Sequence, residues 1–143
     1  MVLLRAYVAL MKLRVVELLL ISTIPAMILA AEGVPSLGLI LATLVGGTLA
    51  AGSANAFNMV LESDLDKLME RTSTRPLVTG VLSKRHAAVF ATVIGALSLT
   101  IFWIYTEPLA TLLTAVAIAF YVLVYTMALK RHTSQNIVWG GAA

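Results

Sequence analysis

Four apolar runs, each long enough to cross a bilayer, dominate this chain, and every lysine and arginine falls in alternate connections between them. The runs are read as spans over about 15–31, 36–61, 86–105 and 109–129. Threading them through a membrane puts Arg5, Lys12, Arg14, Lys67, Arg71, Arg75, Lys84, Arg85, Lys130 and Arg131 on one side. Only Glu32 and Glu107 fall in the opposite turns. Positive charge is retained on the cytoplasmic side, so the connection 62–85 is expected there, in a multi-pass protein of the bacterial cell membrane. The expected fold class is all-α, a polytopic transmembrane bundle.

Composition agrees with that parse. The chain is 60% hydrophobic and 12% charged, with a mean hydropathy of +0.97, whereas soluble domains are roughly 45–50% apolar and 25% charged. No cysteine is present, which excludes thiolate metal sites, a cysteine nucleophile and a disulfide framework. The formal charge of +3 does not point to nucleic acid, because the basic residues flank apolar runs and form no stripe. The N-terminus lacks a clear cleavage pattern and is read as retained, with residues 1–14 forming a short amphipathic approach.

Local signals refine the spans. Glu17 is expected in the first turn of span one, where a carboxylate suits a helix N-terminus. Pro25 should kink that span. Glu32 to Pro35 reads as a turn. Gly46, Gly47, Ala50, Ala51, Gly52, Ser53 and Ala54 in span two are small residues suited to close helix packing.

The chemistry is concentrated where span two emerges. Asn58, Glu62 and Asp66 are spaced i, i+4, i+8 and drift only about 80° around a helix, sharing a face with Asn55. They form a ladder of oxygen donors for a hard cation such as Mg²⁺. Arg71 and Arg75 follow, with guanidinium groups suited to phosphate oxygens. The helix is expected to persist to about Glu70 and to end by Arg75-Pro76. Asp64 should point away from the ladder and, with Glu70, solvate the loop or pair with Lys67 or Arg71. The bland alternative is a helix end with interspersed acids and bases. The site reading is favoured by the two asparagines in the apolar part of the span, where an unpaired amide is costly, and by the arginine spacing.

Two stretches carry a resemblance. Asn58-Met-Val-Leu-Glu62-Ser-Asp64-Leu-Asp66, with Met69-Glu-Arg71-Thr72 and Arg75-Pro76-Leu77, resembles the first aspartate-rich motif of the UbiA-type intramembrane prenyltransferases. Tyr125-Thr126, Leu129-Lys130-Arg131, Thr133, Gln135-Asn136-Ile137-Val138 and Gly140-Gly141 are similar to a segment of the subfamily that farnesylates haem, the haem O synthases. Lys12-Leu13-Arg14-Val15 resembles its entry into helix one. Leu13 departs from the usual proline, Glu62 from the commoner aspartate, and Met59 from asparagine or aspartate.

The resemblance implies transfer of farnesyl from farnesyl diphosphate to a vinyl group of haem B, with Mg²⁺ held by Asn58, Glu62 and Asp66. It assigns diphosphate contacts to Arg71 and Arg75, and contacts to diphosphate or haem propionates to Lys12, Arg14, Lys130 and Arg131, although topology alone accounts for those last four. His86 and His132 sit at span ends, where interfacial placement explains them better than haem ligation. The resemblance also implies nine spans and a second acidic motif, so residues 1–143 are expected to be an N-terminal portion with an incomplete active site. Two other readings stay open. An aromatic prenyltransferase of quinone synthesis would share the metal motif but not the Lys130-to-Gly141 match. A non-catalytic helical membrane module would line a path across the bilayer with acids, whereas these acids collect at one interface.

Overall fold

The computed structural model describes residues 2–129, and every secondary-structure element among them is a helix. Lys130, Arg131, His132 and the motif that continues to Gly141 lie outside the described residues. Helix α1 covers Val2–Met11, α2 Leu13–Ala30, α3 Leu37–Asp66, α4 Lys84–Tyr105 and α5 Pro108–Ala119. The last continues as a π-helical segment, Phe120–Leu129. Four stretches are long and apolar enough to cross a membrane: Leu13–Ala30, Leu37–Asp66, Lys84–Tyr105 and Pro108–Met127. Their number is the expected four, and the chain is a multi-pass membrane protein.

The helix starts are written locally. The Ser36 hydroxyl accepts from Leu39 N at 3.3 Å to open α3, and Ser83 accepts from His86 N at 3.2 Å to open α4. Pro108 occupies the first turn of α5, where its missing N–H costs nothing. At the end of α2, Glu32 N bonds Leu29 O and Gly33 N bonds Ile28 O, a reciprocal closure that requires a left-handed residue, here Glu32 at φ 50°. Helix α2 remains continuous through Pro25.

Two expectations are corrected. Helix α2 begins at Leu13, so Glu17 lies beyond its first turn and is exposed, too far along to compensate the helix N-terminus. Helix α3 ends at Asp66 rather than near Glu70. The Thr72 hydroxyl takes the Asp66 carbonyl at 2.6 Å, and a 3₁₀ turn over Glu70–Thr72 redirects the chain. Glu70 therefore leaves the helix that carries the ladder.

Packing centres on α3 against α4. Gly46 lies so close to the Phe102 ring that an added Cβ would stand 2.9 Å from it, and a Cβ on Gly95 would stand 2.7 Å from Ser53 Oγ. The same seam is stitched by Ser53 Oγ donating to Ala91 O at 2.8 Å and Ser98 Oγ donating to Gly46 O at 2.7 Å. The hydroxyls of Thr23, Thr43, Thr48, Thr92, Thr100 and Thr114 instead bond carbonyls four residues back on their own helices.

At the other end of the bundle a core of Ala6, Leu10, Ala56, Met59, Leu77, Leu82, Ala87 and Ala91 ties α1, α3, the connection after α3 and the start of α4 together. Tyr7 and Phe90 pack there with ring centroids 4.8 Å apart. The amphipathic approach and the polar connection thus meet at the same end of the spans.

Candidate metal-diphosphate site

The ladder predicted from spacing is buried. Asn58, Glu62 and Asp66 are 1%, 6% and 5% exposed, on the face of α3 turned into the protein. The intervening Asp64 is turned outward, its side chain 75% exposed. Both of its carboxylate oxygens accept from Lys84 Nζ at 2.9 Å, a partner 20 residues away.

Two members of the ladder, Asp66 and Asn58, are held from outside α3. Asp66 Oδ2 accepts from an Arg75 guanidinium nitrogen at 2.5 Å, a partly buried charge-assisted bond. The turn over Glu70–Thr72, locked by buried Thr72, is what brings Arg75 back to the helix it follows. Arg71 sits exposed on that turn, so of the two expected phosphate-binding arginines only Arg75 is drawn to the ladder. Asn58 Nδ2 donates to Thr126 Oγ1 at 3.1 Å. Tyr121, from the same π-helical segment, lies within electrostatic reach of Glu62 and stacks at 4.9 Å on Tyr125.

Asn55, one turn before Asn58, does something different. Its Nδ2 donates at 3.1 Å to Met11 O, at the break between α1 and α2 where Lys12 adopts φ 51°. That bond answers the cost of an amide in an apolar span. His86 is also accounted for locally, with Nδ1 3.0 Å from the Ser83 hydroxyl at the start of α4, on the surface.

Beside the ladder opens a cavity of about 410 Å³ between α2, α3, α4 and α5. Its walls are apolar, including Leu19, Ala54, Phe102 and Ile118, and Asn55 and Tyr121 give it a polar end. Among the described residues no three His, Cys, Asp or Glu side chains gather into a metal cage. Two carboxylates and an amide oxygen are an all-oxygen set suited to Mg²⁺ that shares its remaining positions with water and substrate phosphate. The ladder begins one helical turn beyond Asn55, which lines the apolar cavity.

Thr126, Tyr121 and Thr72 complete this geometry without having been singled out for it. Tyr125-Thr126 was visible only as part of the second resembling stretch, since no spacing rule links it to Asn58.

Comparison with known proteins gives the same direction. Residues 19–143 match the sequence profile of the UbiA prenyltransferase family. A protoheme IX farnesyltransferase of Paenarthrobacter aurescens (strain TC1) is 60% identical over 139 residues, covering 97% of this chain and 43% of the relative. One from Renibacterium salmoninarum is 58% identical, covering 97% of this chain and 44% of the relative. Protoheme IX farnesyltransferase 2 of Saccharopolyspora erythraea is 58% identical over 141 residues, covering 99% and 44%. The chain thus spans less than half the length of these relatives. No solved structure matches.

Proposed function

The chain belongs to the UbiA prenyltransferase family, and from that premise we propose that it forms the diphosphate-binding part of a protohaem IX farnesyltransferase. The reaction is transfer of farnesyl from farnesyl diphosphate to haem B. The observation that carries this reading is the buried Asn58–Glu62–Asp66 ladder, which begins one helical turn beyond Asn55 in the wall of an apolar cavity. The relatives named above supply the acceptor.

Asn58, Glu62 and Asp66 would hold Mg²⁺, which when bound neutralises charge developing on the departing diphosphate. Arg75 keeps the Asp66 carboxylate oriented. Arg71 stands at the rim, available to phosphate oxygens, and Lys130 and Arg131 are proposed to add to that rim. The cavity receives the isoprenoid chain and keeps water from the allylic carbon as its bond to oxygen breaks. The vinyl carbon of haem B then bonds to that carbon, and water adds to the neighbouring vinyl carbon with loss of a proton.

The ladder end is cytoplasmic in this proposal, because α1 and the connection after α3, which carry Arg5, Lys67, Arg71 and Arg75, pack at that end. A cysteine introduced beside Arg71 should be labelled only from the cytoplasmic face. External labelling would overturn that orientation.

The test of function uses full-length protein containing this chain, supplied with haem B, farnesyl diphosphate and Mg²⁺. Haem O should appear, and Glu62→Gln or Asp66→Asn should abolish it. Full turnover in both variants would refute the metal assignment, and prenylation of a hydroxybenzoate in place of haem B would move the acceptor to quinone synthesis.

A further inference from the structure

The hydrogen bond from Asn58 to Thr126 joins α3 to a segment 68 residues later, and both side chains are 1% exposed. Its direction is dictated by a second bond. Thr126 Oγ1 donates its single proton to Tyr121 O at 2.9 Å, and a carbonyl oxygen can only accept. The threonine therefore meets Asn58 with a lone pair. Only the NH₂ end of the carboxamide can satisfy that lone pair, and Oδ1 is then presented on the opposite side.

We infer that Thr126 is a positioning residue for the metal site, one that fixes the Asn58 carboxamide with Oδ1 as its donor to the cation. The inference rests on the reading of Asn58 as a metal ligand. An asparagine amide is nearly symmetric in shape, and rotating it by half a turn replaces an oxygen donor with an NH₂ group that repels a cation. The helix itself does not choose between the two. Thr126 does, because its own proton is already committed.

The π-helical winding of Phe120–Leu129 is what commits it. Thr114, in regular α-helix, bonds the carbonyl four residues back, whereas Thr126 reaches Tyr121, five back. Wider winding at a functional position is a recurrent use of π segments. It also gives Tyr121 and Thr126, both facing the ladder, a shared origin in one irregular turn.

The test is Mn²⁺ binding, as a stand-in for Mg²⁺, in full-length protein containing this chain. Inorganic diphosphate is present, and loss of the free-ion electron paramagnetic resonance signal is followed. Thr126→Val, which keeps the shape and loses the hydroxyl, should weaken binding by about 10- to 100-fold, as outer ligand-orienting groups do. Thr126→Ser should bind close to the unsubstituted protein. Added to Asn58→Ala, Thr126→Val should change nothing further, since no amide remains to orient. Unchanged binding in folded Thr126→Val, with Asn58→Ala weakened, would overturn the inference and leave the site intact. So would an equal loss from Thr126→Val in both backgrounds, which marks a general structural effect. Unchanged binding in Asn58→Ala, Glu62→Gln and Asp66→Asn together would remove the site itself.

Discussion

Helix α3 changes occupation halfway along. From Gly46 to Ser53 it offers glycine, alanine and a serine, and an added methyl would collide with the Phe102 ring of α4 at Gly46 and with Met11 of α1 at Gly52. From Asn55 to Asp66 it offers amides and carboxylates to α1, to the π-helical segment and to Arg75. The first half is held by close contact and hydroxyl-to-carbonyl bonds, the second by paired amides and carboxylates. Damage to the first should therefore appear as instability, and damage to the second as lost chemistry in a protein that still folds.

Glu62→Gln offers the sharpest contrast. It removes one buried charge, and haem O formation should fall by about a hundredfold or more with helicity retained. Loss of folding in parallel with activity would erase the distinction between the halves. Gly95→Val is the reverse experiment. Its new side chain meets Ser53 Oγ, and thermal unfolding in detergent should show a loss of about 1–3 kcal/mol, with Mn²⁺ affinity of the folded fraction unchanged.

Ser98→Ala probes the seam more gently. It deletes the bond to Gly46 O and should cost about 0.6 kcal/mol, measurable in the same unfolding assay. Lys84→Ala removes the ion pair with Asp64, whose side chains are 50% and 75% exposed. Less than about 0.5 kcal/mol and no change in metal binding are expected. A larger effect would mean that Asp64 belongs with the ladder after all.

These outcomes follow from parts of the molecule that were unequally visible in the sequence. Spans were plain because twenty apolar residues have few other homes, and four-residue spacing was enough to put Asn58, Glu62 and Asp66 on one face with Asp64 opposed. The end of α3 was misplaced because the determinant is a hydroxyl at Thr72 bonding back to Asp66, which competes with a helical pattern that continues in sequence. The break at Lys12 carries no glycine to announce it, and is held by Asn55, 44 residues beyond the Met11 carbonyl it bonds. The Asn58–Thr126 bond spans still more chain and needs a π segment that has no propensity signal of its own.

The threonines that bond carbonyls on their own helices have a consequence for biogenesis. Thr23, Thr43, Thr48, Thr92, Thr100 and Thr114 can enter lipid with their hydroxyls already satisfied, so each segment presents itself to the insertion machinery as nearly hydrocarbon. Ser53, Asn58 and Ser98 bond across to other helices and must wait for a neighbour. Entry into the bilayer and recognition between helices are thereby assigned to different polar side chains.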